Sequence, residues 1–300
     1  MDINLSKNEF FSRSTQLYLT LGNISIKQLI LKSLQETIVI YQIENCISPN
    51  LNQVLSSLSD KVILQDSPDD DSFVYCSAIA FPLANLSHLR SRKVAEDLVS
   101  LLALNSQDSA TELKLNLTIR VVRNGLIEFA FCDRSIGCWL EEVLGKLGVW
   151  EIGRWGDWEM RGLGDYNWFP VQYVHNRCCS LLRLGATEGL IKLDNTWKIT
   201  NQNPFQYYWD ENISYCYEPT EINLLRQISF VIDYLGDRNN QDPKTWWQLN
   251  LNLSDACLKF IADCRIFGSV AHNQRSLAIA RLGLISIVQS CLQKAIVDLK

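Results

Sequence analysis

From Leu113 to Val121 every second residue is apolar: Leu113, Leu115, Leu117, Ile119 and Val121 alternate with Lys114, Asn116, Thr118 and Arg120. A period of two is that of a half-buried strand. Asn124-Gly125 follows, the pair favoured in a two-residue type I′ hairpin turn, and Leu126 to Phe131 reads as the returning strand. An amphipathic helix from about Ser135 to Leu144 closes this region at Gly145. Upstream the period is helical. Ser25-Ile26-Lys27-Gln28 is a capping box, and Ile26, Leu29, Ile30 and Leu34 behind it make one apolar stripe. Residues 1–22 show no clear period and read as an N-terminal extension. Asn45 to Ser59 is polar and broken by Pro49, and Ser67-Pro68-Asp69-Asp70-Asp71 is an acidic surface turn. Helices laid on a small antiparallel sheet predict an α+β module over residues 23–146.

Beyond it the pattern changes twice. Residues 147–170 are dense in tryptophan and glycine, with Trp150, Trp155, Trp158 and Trp168 among them, and read as a compact linker. Its rings can stack on bases or pack a seam between domains, and burial is the larger energetic use of a tryptophan. From Gln172 onward the spacing is helical. Leu181, Leu182, Leu190 and Ile191 extend a first helix or its successor, and Asn195 to Tyr217 is a polar, aromatic loop. Ile222, Leu225, Ile228 and Val231 recur at three-residue steps, a further helix runs from Trp246 to Cys264, and Arg275 to Leu299 closes the chain. In that closing helix Leu277, Ala280, Leu284, Ile287, Val288 and Cys291 share one face. Residues 171–300 are therefore predicted to form an all-α helical bundle.

Composition is that of a soluble globular chain, 47% hydrophobic and 20% charged over 300 residues. The N-terminus lacks the charged-then-apolar pattern of a secretory leader, so a cytoplasmic protein is expected. The longest stretch without formal charge, Ser72 to Leu89, contains Pro82 and Asn85 and reads as a strand or loop plus a helix, so no membrane span is expected. Ten cysteines include no Cys-x-x-Cys pair. Cys178 and Cys179 are adjacent and diverge on a helix, and Cys257 and Cys264 fall on one helical face as core positions do. His175 and Cys178 are one turn apart, but two ligands do not make a zinc site, and neither a metal nor another cofactor is expected. Charge runs against a broad polyanion-binding face: the chain carries −5, and from Trp150 onward 15 Lys/Arg stand against 16 Asp/Glu.

Three segments change the picture. Val171-Gln172-Tyr173-Val174-His175-Asn176-Arg177, Phe260-Ile261-Ala262-Asp263-Cys264-Arg265-Ile266-Phe267 and Ala278-Ile279-Ala280-Arg281-Leu282-Gly283-Leu284 occur in this order over about 130 residues. Together they resemble the DALR-type anticodon-binding helical domain of arginyl-tRNA synthetases. The order of elements over 78–89, 92–103 and 125–129 loosely resembles that family's N-terminal additional domain, which reaches the tRNA elbow. In the family a nucleotide-binding catalytic core of roughly 200 residues or more precedes the helical domain. Here only about 26 residues separate Gly145 from Gln172, far too few for a domain. The histidines, His88, His175 and His272, lie in no His-x-Gly-His element, and Met160 lies in no lysine-rich signature loop. Neither a Rossmann nor a P-loop phosphate cradle occurs. The expectation is a non-catalytic relative that keeps the flanking modules.

The resemblance implies tRNA as partner, of the arginine type, no membrane, and a partner protein or tRNA-modifying enzyme to which tRNA is presented. The RNA-contacting candidates are Tyr173, His175, Arg177 and Arg183 on the opening helix, the Trp246-Trp247 pair, and Arg265 and Arg281. Each has a plain alternative. The arginines can reach RNA phosphates or brace helix ends through carbonyl hydrogen bonds. The opening-helix residues can pack, and one ring of the tryptophan pair can stack on a splayed base or both can be buried. A protein-interaction scaffold that has kept the fold and shed RNA binding is the competing reading of the whole chain.

Overall fold

A computed structural model describes residues 15–20, 24–45, 62–65, 73–105, 114–147, 166–195, 197–209, 218–237 and 242–297. They divide into two compact units. Residues 15–20, 29–45, 62–65, 74–105 and 114–132 fall in the first, and residues 24–28, Phe73 and those from Asp133 onward fall in the second.

The first unit is α+β. Strands β1 (Thr15–Thr20), β2 (Val62–Gln65), β3 (Val74–Ser77), β4 (Lys114–Val122) and β5 (Leu126–Phe131) form an antiparallel sheet in the order β1-β4-β5-β3-β2. The alternation in β4 does what its period demands: Leu115, Leu117 and Ile119 are fully buried, and β5 buries Ile127, Phe129 and Phe131 in the same rhythm. On the other face Arg120 lies directly opposite Glu128, and two guanidinium nitrogens donate to its carboxylate at 2.8 Å each. Helix α1 (Ile26–Asn45), α2 (Ala80–Ser87) and α3 (Ser91–Asn105) complete the unit, α3 packing on β1, β4 and β5. On α3 Val94, Ala95, Leu98, Val99 and Leu102 are buried, while Arg92–Glu96 and Lys93–Asp97 pair one turn apart on the solvent side.

Two features depart from the sequence expectation. The segment taken as an extension contributes β1, which pairs with β4 from Thr15↔Ile119 to Thr20↔Lys114. Six residues without a helical or turn signal cannot be told from a loop until a partner strand is known. The Asn124-Gly125 turn is also not the two-residue hairpin. Val122 pairs with Leu126, so three residues close the loop, with Asn124 at φ 56 and Gly125 at φ 117. Gly125 is required twice over: its φ disfavours a side chain, and a Cβ there would lie 2.7 Å from the Ser91 carbonyl. Ser91 Oγ donates to the Asn124 carbonyl at the same point, tying the hairpin to the start of α3.

The second unit is a helical bundle. It contains α4 (Asp133–Leu147), α5 (Phe169–Thr187), a 3-10 turn (Pro204–Trp209), α6 (Pro219–Gly236), α7 (Pro243–Asp263), α8 (Ser269–Asn273) and α9 (Arg275–Val297). Starts are marked by prolines: Pro170, Pro219 and Pro243 each occupy the first helical turn, where a missing N–H costs nothing. Asp242 caps α7, its Oδ2 accepting from the Thr245 N–H at 2.8 Å. The end of α5 is equally defined. Gly189 at φ 68 lets the Leu190 N–H return to the Gly185 carbonyl at 2.9 Å.

Helix α9 is the centre of this unit, in contact with α4, α5, α6, α7, α8 and the 3-10 turn. The expected one-sided stripe is too narrow a description, because every residue from Leu277 to Gln289 is buried. Two glycines let its neighbours approach. A Cβ on Gly185 of α5 would stand 2.7 Å from Leu282, and one on Gly283 would stand 2.8 Å from Pro204 and 2.9 Å from the Phe205 ring. Phe205, inside the segment read as a polar loop, is fully buried there. By length and composition α9 is the one helix among the described residues able to cross a membrane, but 83% of its apolar window is covered by protein.

The packing boundary lies earlier than the sequence boundary at 146. Helix α4 packs on the 3-10 turn and α9. Its Trp139 Nε1–H donates to the Ile24 carbonyl at 2.7 Å. The first turn of α1 joins the same unit: buried Asp233 on α6 accepts from Ser25 Oγ at 2.7 Å and from the Lys27 N–H at 3.1 Å. The capping-box serine keeps its local role as well, accepting from the Gln28 N–H at 3.1 Å. Most of the predicted linker, residues 148–165, lies outside the described residues.

Candidate nucleic-acid interface

Helix α5 sorts its residues by angle. Val171, Val174, Cys178, Cys179, Leu182 and Gly185 face inward. Phe169, Tyr173, Arg177, Ser180 and Leu184 fall within about 80° of one another at 100° per residue and form a continuous exposed stripe. Three of them are large apolar or aromatic side chains left open to solvent: Phe169 at 70%, Tyr173 at 49% and Leu184 at 42% exposure. The helix carries Arg177 and Arg183 and no carboxylate. Aromatic rings beside uncompensated guanidinium groups suit an RNA segment with unpaired bases, which stack while phosphates meet the cations.

Of the expected set, Tyr173 and Arg177 are thus brought together. Phe169, one turn before Tyr173, joins them without having been singled out; its i−4 spacing was the available signal. Arg183 lies about 40° outside the stripe at 100° per residue, and its guanidinium carbon sits 4.7 Å from the centre of the Trp197 ring. His175 is half-buried on the α9 side, 3.2 Å from Gln289 Nε2 and 3.9 Å from Cys179 Sγ, and burial lowers its pKa. Arg265 is exposed in the loop after α7.

Two expected contacts are corrected. Arg281 is buried at 7% exposure: one of its amino groups donates to the Arg265 carbonyl at 2.7 Å and the other lies 3.5 Å from fully buried Glu221. It fastens the loop after α7 to α6 and α9, with no reach to an external phosphate. Trp246 is also buried, stacked on Tyr234 at 5.5 Å and 14°, and cements α6 to α7. Its neighbour Trp247 is half-buried. It stacks on Tyr166 at 5.0 Å and donates to the Asn167 carbonyl at 3.3 Å, anchoring the residues that lead into α5.

Cys178, Cys179, Cys257, Cys264 and Cys291 of the helical unit are buried as core residues, whereas Cys132 is exposed. Cys178 and Cys257 meet at 3.7 Å between α5 and α7, and burial pushes Cys291 up to about 12. No group of three or more metal-ligating side chains occurs among the described residues.

No curated protein and no solved structure matches the chain. One family model does, and it begins at the second residue of the Pro170-Val171 step into α5. Residues 171–299 match the model described as DALR anticodon binding domain, and this stretch, from α5 to α9, is a domain of that kind.

Proposed function

We propose that this chain is a non-catalytic tRNA-binding protein that engages RNA through the exposed stripe of α5. The observation that carries the reading is the coincidence of a DALR anticodon binding domain with an outward row of Phe169, Tyr173 and Arg177 on its first helix. Stacking would supply most of the affinity and a few arginines the rest, in keeping with a chain whose net charge is −5. Arginine-accepting tRNA is the type that the motif resemblance favours. The proposed setting is the cytoplasm, with the tRNA handed to a partner protein or a tRNA-modifying enzyme.

A specific observation also favours a second reading. Phe169 and Leu184 are apolar side chains on a nearly neutral domain, a composition that suits a protein-interaction scaffold. Gel-shift titration of the purified chain against total tRNA at 50 and 200 mM salt (about a fourfold step in ionic strength), followed by sequencing of the bound species, separates the two. The tRNA reading expects a saturable shift with shallow salt dependence, weakened roughly tenfold or more by Tyr173→Ala/Arg177→Ala. Absence of any shift at low salt would defeat it and leave the scaffold.

A further inference from the structure

The loop after α5 contains a backbone anomaly. Residues 192–195 and 197–200 come together as a short hairpin, closed by the Leu193↔Ile199 bridge and by the Asp194 N–H donating to the Lys198 carbonyl at 3.0 Å. At its tip the Trp197 N–H returns to the Asp194 carbonyl at 3.2 Å, and Asp194 Oδ1 accepts from the Lys198 N–H at 3.0 Å. Trp197 sits at φ 66. Glycine and asparagine occupy that region freely, whereas a bulky side chain there is an outlier.

Among the described residues Trp197 is not part of the buried core. Phe205, Trp139 and Trp246 are buried in this unit, but Trp197 is only half-buried and its ring lies beneath the exposed guanidinium of Arg183. Lys192 and Lys198 flank it on the hairpin, and Asp194, the carboxylate at the tip, accepts from the Lys198 N–H. A strained position occupied by a half-open aromatic ring among cations is the arrangement that strain at a binding site produces.

We propose that Trp197, backed by Arg183, is a base-stacking residue for an unpaired nucleotide of the RNA ligand. The proposal rests on the tRNA-binding reading and extends its surface from α5 onto Trp197 and the hairpin's Lys192 and Lys198. Its ligand class is a single-stranded loop nucleotide, since a base held in a duplex cannot present a face to the ring.

Trp197→Gly and Trp197→Phe test it in the full-length chain, with unfolding temperature and affinity for total tRNA read in parallel. Glycine relieves the backbone, so its unfolding temperature should equal or exceed that of the parent. Its tRNA affinity should nonetheless fall roughly 10- to 100-fold, and phenylalanine should restore most of the loss. An RNA duplex without a loop should bind all three proteins alike. Unchanged tRNA affinity in Trp197→Gly, with the parent still binding, overturns the stacking role and leaves the α5 interface standing. A lower unfolding temperature together with lost binding makes Trp197 a packing residue and also overturns it. A parent chain that binds no tRNA removes both proposals at once.

Discussion

Helices α5 and α9 lie against each other in one bundle, both carry arginines at motif positions, and neither contains a carboxylate. Their arginines do opposite work. On α5 Arg177 and Arg183 are exposed, Arg177 one turn from the exposed ring of Tyr173 and Arg183 over the half-buried ring of Trp197. On α9 Arg281 is enclosed, holding a carbonyl and facing a buried carboxylate. A motif arginine therefore tells where a residue stands in the fold, and the circumference of its helix decides what it touches. Helix α9 is covered on all sides over its first half, so any charge placed there must be answered from inside.

The comparison breaks most readily at Arg281. Replacement by alanine removes the cation facing Glu221 and the donor to the Arg265 carbonyl, and should cost about 3–5 kcal/mol, the range for breaking a buried pair. Urea unfolding gives the value directly. A loss below about 1 kcal/mol would put this pair with surface ion pairs and erase the contrast with α5.

Next in size is Gly283→Ala on the same helix. The added methyl meets Pro204 at 2.8 Å and the Phe205 ring at 2.9 Å, both packed against α9. Overpacking of this kind costs about 1–3 kcal/mol, outweighing the gain in helix propensity of about 1 kcal/mol. A more stable variant would mean that the 3-10 turn yields freely. On α5 the contrast predicts the reverse: Tyr173→Ala/Arg177→Ala should leave unfolding free energy within about 0.5 kcal/mol per site of the parent, because neither side chain fills the core.

What could be read from the letters followed the same division. The alternation of Leu115, Leu117 and Ile119, the Ser25 cap and the helices of the bundle were legible because each is fixed by local spacing and a buried face. Strand β1 and the buried Phe205 were not, since each is defined only by a partner far along the chain: β4 for the strand, Gly283 for the ring. At the candidate site, Tyr173 and Arg177 could be named from their motif. That Trp246 faces inward and that Arg281 is enclosed depended on tertiary packing, which no period in the sequence encodes, and the positive φ of Trp197 belongs to a turn that no glycine or asparagine at that position announces.

The smallest expected effect lies where the two helices share a polar contact. His175 on α5 stands 3.2 Å from Gln289 Nε2 on α9, and an amide N–H can donate only to the lone pair of a neutral imidazole. Burial also disfavours the charged ring, lowering its folded pKa below the ordinary value near 6.5. The unfolded chain, whose histidine is unperturbed, therefore takes up the proton first as pH falls. This contribution to stability is fully present above about pH 6.5 and is lost as pH drops from there through the lowered folded value. His175→Gln cannot titrate, so the stability difference between parent and variant should shrink between pH 7.5 and 5 as the parent loses its advantage. A difference that stays constant over that interval, in urea titrations run side by side, would show that the imidazole is solvated well enough to titrate normally. The seam between α5 and α9 would then be open to water at this turn, and the inward and outward faces of α5 would be less sharply divided than the packing of Val174 and Cys178 implies.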